Sequence, residues 1–452
     1  MQSRYFHLRF CVLIAWVLAG ACNVNAQVIA LSDLYQHALM HDPLVKAARS
    51  AETAAAQRLP IAESSGLPQV VLSADRLTND LHMGGRQDRY TSSNRTLQVR
   101  QPIVRMGLAP SVEQALRVRD EARAQRENAE QELLIRLSTA LFEHMFSLEQ
   151  SSFVAAFKLT AAQQLRAAEL AFSAGSGVRT DIDEARARLD AAHAQELQIR
   201  LQVELGRRQL ERLSGRNLGQ LALLNIDDPW ALETELGALP LWLERLEQHP
   251  QLRALQARAE GARFEIAKAQ AADLPTVDAL LRWSKSEGEN VFNPGGNYRN
   301  NQIGLQLNWP LYQGGGSQAT VREAVARLDE AEQRALAIRD ELAFRLEGHY
   351  RLVQEGRLRI DALRQAVNSA NQAVFSSKRS FDAGSRTRLD VFNAEQSLAQ
   401  AKRDLLQGRL NYVQAQLQLA LHSGQEPERA LDRVTHWFNK NLPVSTIITS
   451  IK

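Results

Sequence analysis

Phe381-Asp382-Ala383-Gly384-Ser385-Arg386-Thr387-Arg388-Leu389-Asp390 decides how this chain is read, because its opening occurs twice. Phe172-Ser173-Ala174-Gly175-Ser176 stands 209 residues earlier, and Asp181 and Leu189 stand 209 residues before Asp390 and Leu398. Working outward, Gln101-Pro102-Ile103 matches Trp309-Pro310-Leu311 at a shift of 208. Leu67-Pro68 matches Leu274-Pro275, and Asp42-Pro43-Leu44 matches His249-Pro250-Gln251, both at 207. Self-similarity held in register over so much chain is an internal duplication. Two copies of this length do not make a solenoid; they make two alike units packed with pseudo-symmetry.

Each copy has the same order of elements. A helix of modest length (about 43–66 and 250–272) ends at Leu-Pro, where proline disfavours helix in the residue before it. Two strands follow, about 68–77 and 96–103 in the first copy and 275–284 and 302–311 in the second. The stretches between them, about 78–95 and 285–301, are rich in Gly, Asn and Arg and read as loops. Long helices are expected over 111–173 and 178–214, and over 318–382 and 386–422. The repeats are bounded as 27–235 and 236–425, with a tail over 426–452.

Neither 111–173 nor 318–382 contains proline. Each such helix would run on the order of 90 Å at 1.5 Å per residue. Leu134, Leu137, Leu141, His144 and Leu148 keep a three-four spacing, as do Ile360, Leu363, Val367, Ala370, Val374, Ser377 and Phe381. After the turn Val391, Ala394, Leu398, Ala401, Leu405, Gly408 and Tyr412 continue it. An antiparallel coiled coil satisfies this pattern. So do staves of a tube, since the many Ala, Ser and Gly positions let helices approach closely.

The strands alternate. Ile303, Leu305, Leu307 and Trp309 alternate with Gln302, Gly304, Gln306 and Asn308, and Val277, Ala279, Leu281 and Trp283 with Thr276, Asp278, Leu280 and Arg282. Val70, Leu72 and Ala74, then Leu97 and Val99, do the same in the first copy. A half-buried sheet in a soluble protein shows this period of two. A membrane barrel shows it too, with lipid outside and water inside, and the terminal aromatics Trp283, Trp309 and Tyr312 favour that alternative. Four strands cannot close a barrel, since small barrels need about eight. If these strands span a membrane, several chains must contribute.

The first 26 residues read as an export signal. Arg4, His7 and Arg9 precede an apolar run from Phe10 to Ala21, too short to span a bilayer. Val24-Asn25-Ala26 suits cleavage before Gln27; Leu18-Ala19-Gly20-Ala21-Cys22 offers a rival lipid-modification site. Both cysteines, Cys11 and Cys22, fall in this segment, so cleavage after Ala26 leaves no disulfide and no thiolate chemistry. Removing Arg4 and Arg9 from 54 basic residues leaves 52 against 51 acidic ones, a net +1 that is no footprint for nucleic acid.

Catalytic patterns are missing. Gly314-Gly315-Gly316-Ser317 lacks a lysine in phosphate-loop spacing and suits a strand-to-helix turn. Neither HExxH nor GxSxG occurs, the ten histidines are scattered, and Asp181 and Asp183 lie beside a turn rather than a cleft. An enzyme is not expected, nor is any cofactor or metal.

The turn makes a family recognisable. Phe381 to Glu395 resembles the helix-turn-helix signature of the TolC family of outer-membrane factors. Trp309-Pro310-Leu311-Tyr312-Gln313-Gly314-Gly315 resembles its strand-to-helix junction, and Leu31-Ser32-Asp33-Leu34-Tyr35-Gln36-His37-Ala38-Leu39 through Asp42-Pro43 resembles its start. The likeness spans about 28–425. It implies a mainly α chain with a transmembrane β-barrel: a homotrimer in which each chain gives four strands to one 12-stranded barrel in outer-membrane lipid. Long antiparallel helical hairpins would continue the barrel as a periplasmic tunnel.

The resemblance also implies partners and site residues. The tips, with Gly175, Ser176, Gly384 and Ser385, would dock a periplasmic adaptor (membrane fusion protein) bound to an inner-membrane ABC or other transporter. Asp390 would form an acidic ring at the pore entrance, with Asn393 where a relative has a second aspartate. An aspartate that opens a helix is also a common cap. Arg386 would hold the tip closed against Thr180 and Asp181, while Phe381 replaces a tyrosine of that latch and lacks its hydroxyl. The expected function is an outer-membrane exit channel for type I protein secretion. The alternatives are a duct for small-molecule efflux and, in another class, a periplasmic coiled-coil scaffold or adaptor.

Overall fold

The computed structural model describes residues 31–218, 223–224, 236–288, 296–435 and 438–439. The export signal expected over 1–26, including Cys22, and Trp437 in the tail lie outside the described residues.

The first copy opens with α1 (Leu31–His41), α2 (Pro43–Ala56) and α3 (Arg58–Ser64). Asp42 caps α2, its carboxylate accepting the backbone N–H groups of Leu44 at 2.9 Å and Val45 at 3.1 Å, with proline at the first helical position. Strands β1 (Gln69–Met83) and β2 (Arg86–Val104) lead to the 66-residue α4 (Leu108–Ser173) and to α5 (Arg179–Ser214). A two-residue strand, β3 (Leu223–Leu224), and the short α6 (Leu239–Glu244) join the copies.

The second copy begins with α7 (Pro250–Ala271), capped by His249 where the first has Asp42: the ring Nδ1 accepts the Gln251 N–H at 3.2 Å. Strands β4 (Thr276–Glu287) and β5 (Tyr298–Asn308), the 67-residue α8 (Gly316–Asp382) and α9 (Arg388–His422) complete it. In the tail, α10 (Pro427–Thr435) packs back on the body, and β6 (Phe438–Asn439) pairs with β3.

The four long strands form one antiparallel sheet in the order β1-β2-β4-β5, so the two hairpins join through β2 and β4 and the outer edges of β1 and β5 are open. The first hairpin is longer than 68–77 and 96–103. Residues expected as a loop extend the strands to a two-residue turn at Gly84-Gly85, both at positive φ, the geometry of a tight hairpin. Polar cross-strand bonds hold this extension: Asn79 to Ser92 at 2.8 Å, Gln87 to Asp80 at 2.9 Å and Asn94 to Asp75 at 2.9 Å. Composition reads such a ribbon as loop, because its pairs are polar rather than apolar.

One face of the sheet exposes Val70, Leu72, Leu281, Ile303, Leu305 and Leu307, with Ile303 88% exposed. Toward the helices the other face holds Asp278, 1% exposed, paired with Arg100 and with Arg105 at 3.5 Å. No described helix is long and apolar enough to cross a membrane.

The long helices persist because nothing interrupts them. Pro110 in α4 sits within the first turn, where its missing N–H goes unneeded. Arg-Glu pairs one turn apart support the solvated faces, such as Arg123–Glu127 at 3.2 Å and Arg334–Glu330 at 2.7 Å. Helix α8 contains Gly348 and Gly356, and at Gly356 an added Cβ would sit 2.9 Å from the ring of Tyr412 on α9. The same close approach holds Gly206 on α5 against His144 on α4. The main core lies at the waist, where Leu34 and Tyr35 of α1, Leu133, Leu134 and Leu137 of α4, and Val413, Leu417 and Leu421 of α9 are fully or almost fully buried.

Candidate functional site

The two helical turns farthest from the sheet are built alike. After α4 the Gly175 N–H donates to the Phe172 carbonyl at 3.0 Å and the Ser176 N–H to Ala171 at 2.9 Å. After α8 the Gly384 N–H donates to Phe381 and the Ser385 N–H to Ser380, each at 2.9 Å. These crossed bonds satisfy the last carbonyls of each helix and require a left-handed residue, supplied by Gly175 (φ 74°) and Gly384 (φ 73°). Both serine hydroxyls also reach those carbonyls, Ser176 at 3.1 Å and Ser385 at 3.0 Å. An added Cβ would meet nothing within 4 Å at either glycine. The turns are exposed knobs whose shape is set by backbone geometry alone.

The tips diverge immediately afterwards. Thr387 caps α9 in a reciprocal box: the Asp390 N–H donates to the Thr387 hydroxyl oxygen at 3.2 Å, and the Asp390 carboxylate accepts the Thr387 N–H at 2.8 Å. The Thr387 hydroxyl and Asp390 carboxylate also stand 2.8 Å apart. At the matching place in the first copy is Val178, which has no capping side chain, so α5 starts without a box. Asp181, the counterpart of Asp390, is therefore exposed and its carboxylate makes no hydrogen bond or ion pair with any described residue.

The Thr387 backbone N–H, then its hydroxyl, hold the Asp390 carboxyl below the usual aspartate range, and the charge of Arg386 adds to this. Arg386 donates to the Ser377 hydroxyl at 3.1 Å, one turn back on α8. Among the described residues it makes no bond to Thr180 or Asp181 within the chain. The position 209 residues before Arg386 is Gly177, where an added Cβ would lie 3.0 Å from the Phe172 backbone nitrogen. A side chain at this place in the first tip would be tightly crowded against the end of α4, where the second tip carries its arginine.

Phe381 is half-buried, with the Arg388 guanidinium 5.6 Å from its ring centre. Asn393 is exposed, and its carbonyl accepts the Ser397 hydroxyl at 2.8 Å. Sequence reading gave no site role to Ser377, Thr387 or Phe392. Phe392 is 5% exposed and stacks obliquely on Phe157 of α4 at 5.2 Å, below the Arg188 guanidinium of α5 at 5.9 Å. It thereby ties the second hairpin to the first just above the tips. The available signal was a large aromatic two residues after the capping aspartate, next to the seam residue Val391. Ion pairs Lys378–Glu395 (2.8 Å) and Arg186–Glu169 (3.7 Å) brace each hairpin near its tip.

The described residues hold no group of three or more His, Cys, Asp or Glu arranged to bind a metal ion. What the tips offer is a cation held in place, a capped carboxylate and an uncapped one, on rigid exposed turns.

The family described as "outer membrane efflux protein" matches residues 34–216 and 242–425, one match to each copy. The chain is 30% identical to the alkaline protease secretion protein AprF of Pseudomonas aeruginosa over 436 residues, covering 91% of this chain and 87% of that protein. It is 27% identical to the proteases secretion protein PrtF of Dickeya chrysanthemi, covering 93% and 94%. Among solved structures, the CmeC outer membrane channel of Campylobacter jejuni superposes with a TM-score of 0.77 at 16% identity, over 93% of this chain and 88% of that one, which shows the fold.

Proposed function

We propose that this chain, which belongs to the outer membrane efflux protein family, is the exit channel of a type I protein secretion system. Membership makes it an outer-membrane channel protein rather than an enzyme. It also sets aside the periplasmic scaffold or adaptor considered from the sequence. The observation that carries the finer reading is that AprF and PrtF, named for the secretion of proteases, match nearly the whole chain.

The working unit in this reading is a homotrimer. The open edges of β1 and β5 leave unpaired backbone groups, which hydrocarbon does not tolerate. Three chains pairing edge to edge would close 12 strands and leave no edge. Lipid meets Ile303, Leu305 and Leu307, and water meets the opposite face.

The long helices continue the duct into the periplasm, and their tips take up a periplasmic adaptor through the knobs at Gly175, Ser176, Gly384 and Ser385. An inner-membrane ABC transporter supplies the energy, since a passive duct has none of its own. In the closed state Arg386 reaches Thr180 and Asp181 of the adjoining tip, Asp181 being the carboxylate left uncapped. Phe381 contributes packing to this latch and no hydroxyl bond. Asp390 lines the entrance with Asn393 behind it, one carboxylate per chain in place of two.

Deleting the gene and comparing the proteins in the culture medium tests the cargo. Loss of one or a few polypeptides from the medium, with unchanged sensitivity to toxic small molecules, is the expected result. An unchanged set of exported proteins with increased sensitivity would overturn it in favour of small-molecule efflux, the reading that the family's description favours.

A further inference from the structure

Beyond the apolar belt of the sheet, three cations stand side by side. Arg95 on β2 is directly opposite Lys285 on β4, and Lys285 is directly opposite Arg299 on β5. Directly paired residues project to the same face. Two residues nearer the helices, that face carries the row Leu97, Trp283 and Asn301, and then Val99, Leu281 and Ile303. The cations are therefore on the exposed apolar face, not on the polar face of Gln98, Arg282 and Gln302. Arg76 on β1 lies one row farther out on the same side, opposite Ser93.

Their height follows from strand geometry. Trp309 marks the helix-proximal end of β5, and Arg299 lies ten residues beyond it. Ten residues span about 33 Å along a strand. At the tilt of barrel strands that is about 25 Å of height, the thickness of the apolar band of outer-membrane barrels. The helices attach at the opposite end of the sheet. The row thus stands at the outer boundary of the hydrocarbon, at the level of the head groups of the outer leaflet.

Like charges placed directly across strands repel one another. Among the described residues the carboxylate that answers this row is Glu287, which pairs with Lys285 and lies within electrostatic range of Arg95. Arg299 and Arg76 make no hydrogen bond or ion pair with any described residue. Among the described residues, these four cations against one carboxylate leave a local excess of three positive charges. Arg95, Arg299 and Arg76 are exposed.

We propose that Arg95, Lys285 and Arg299, extended by Arg76, form a docking surface for the phosphate groups of anionic lipid in the outer leaflet, which supplies the missing counter-charge and fixes the barrel's depth. Guanidinium groups suit this task because their donors match phosphate oxygens two at a time. Long cationic side chains at such a boundary can lay their alkyl parts along apolar surface and keep the charged head among phosphates.

The test uses the full-length oligomer purified in detergent, with diphosphoryl lipid A as probe, phosphatidylcholine as the zwitterionic reference and inorganic phosphate as the free anion. Lipid retained through native mass spectrometry is the readout. The wild type is expected to retain lipid A at least tenfold over phosphatidylcholine, and the triple variant Arg95→Gln/Lys285→Gln/Arg299→Gln to lose roughly tenfold of that preference. Arg95→Lys/Arg299→Lys is expected to keep most of it. Arg89→Gln, which removes a cation already paired with Asp80 at 3.3 Å, is expected to leave it unchanged. Should the triple variant not assemble, Arg299→Gln alone, at an exposed residue without a partner, is expected to lower retention severalfold. Undiminished retention in the Gln variants, an equal loss in Arg89→Gln, or full displacement by millimolar inorganic phosphate would overturn the proposal.

Discussion

The carboxylate of Asp390 accepts the backbone N–H of Thr387 at 2.8 Å and closes the cap of the helix that follows the second tip. The carboxylate proposed to line the entrance is thus also a structural cap. Two substitutions separate the roles. Thr387→Val removes the cap's hydroxyl and keeps the acid; Asp390→Ala removes the acid and its half of the cap and keeps the Thr387 hydroxyl. Each is expected to cost about 1 kcal/mol of helix stability. In planar bilayers, block by multivalent cations should weaken in Asp390→Ala and persist in Thr387→Val. Equal loss of block in both would assign the effect to tip shape rather than charge.

Arg386 rests on Ser377 within its own chain, and Asp181 at the other tip lies on a helix without a side-chain cap. Arg386→Ala is expected to raise single-channel conductance by removing the latch, and Asp181→Ala should do the same. Ser377→Ala should change it little, because that bond only orients the guanidinium. Unchanged conductance in both Arg386→Ala and Asp181→Ala would exclude the latch.

Three histidines meet at the waist. The His349 and His422 rings are 4.9 Å apart and the His249 and His422 rings 6.1 Å apart. Burial, then the neighbouring His422 and Arg345, push His249 and His349 down to about 4; burial also lowers His422, against the Gln418 carbonyl, which raises it. With folded values below the ordinary 6.5, the unfolded chain binds more protons between pH about 4 and 6.5. Stability is therefore complete above about 6.5 and is lost as pH falls toward about 4, by up to roughly 3 kcal/mol for His249 and less for the more exposed His349. Protonation also turns the His249 Nδ1 from acceptor to donor and removes the cap on α7. Melting temperatures between pH 7.5 and 4 should fall steeply for the wild type. His249→Asn/His349→Gln, which keeps a capping residue, should flatten the curve.

Asp278 is buried where the barrel meets the helices, between Arg100 and Arg105. Removing it leaves two guanidinium groups without their counter-charge, a loss on the order of 3–5 kcal/mol. Asp278→Ala should lower the oligomer's resistance to denaturant accordingly. Asp75→Ala, at an exposed residue that bonds only Asn94, should cost under about 1 kcal/mol. A similar loss in both would show that the buried pair carries no special weight.

Much of the architecture could be read directly. Gly175 and Gly384, matching Leu-Pro junctions and proline-free stretches located two long hairpins, because turns and helix interruptions are local chemistry. The strand residues Ile303, Leu305 and Leu307 declared one apolar face, because side chains alternate along any strand. The extension of β1 and β2 to Gly84-Gly85 was not legible as strand. Its polar residues satisfy one another across the ribbon, and that pairing is invisible until both strands are placed. At the tips Arg386, Asp181 and Asp390 could be named from the resemblance, but not that Thr387 binds Asp390 or that Val178 leaves Asp181 free.

By itself the sequence determined the duplication, the order of elements and the two glycine turns, since these follow from backbone preferences and periodicity within short windows. Only the tertiary structure decided which residues stand beside which. It joined β2 to β4 across some 180 residues, set Phe392 on Phe157, and aligned Arg95, Lys285 and Arg299 in one row. Such neighbours come from strand register and helix packing, which are fixed by the sum of many weak contacts over the whole chain.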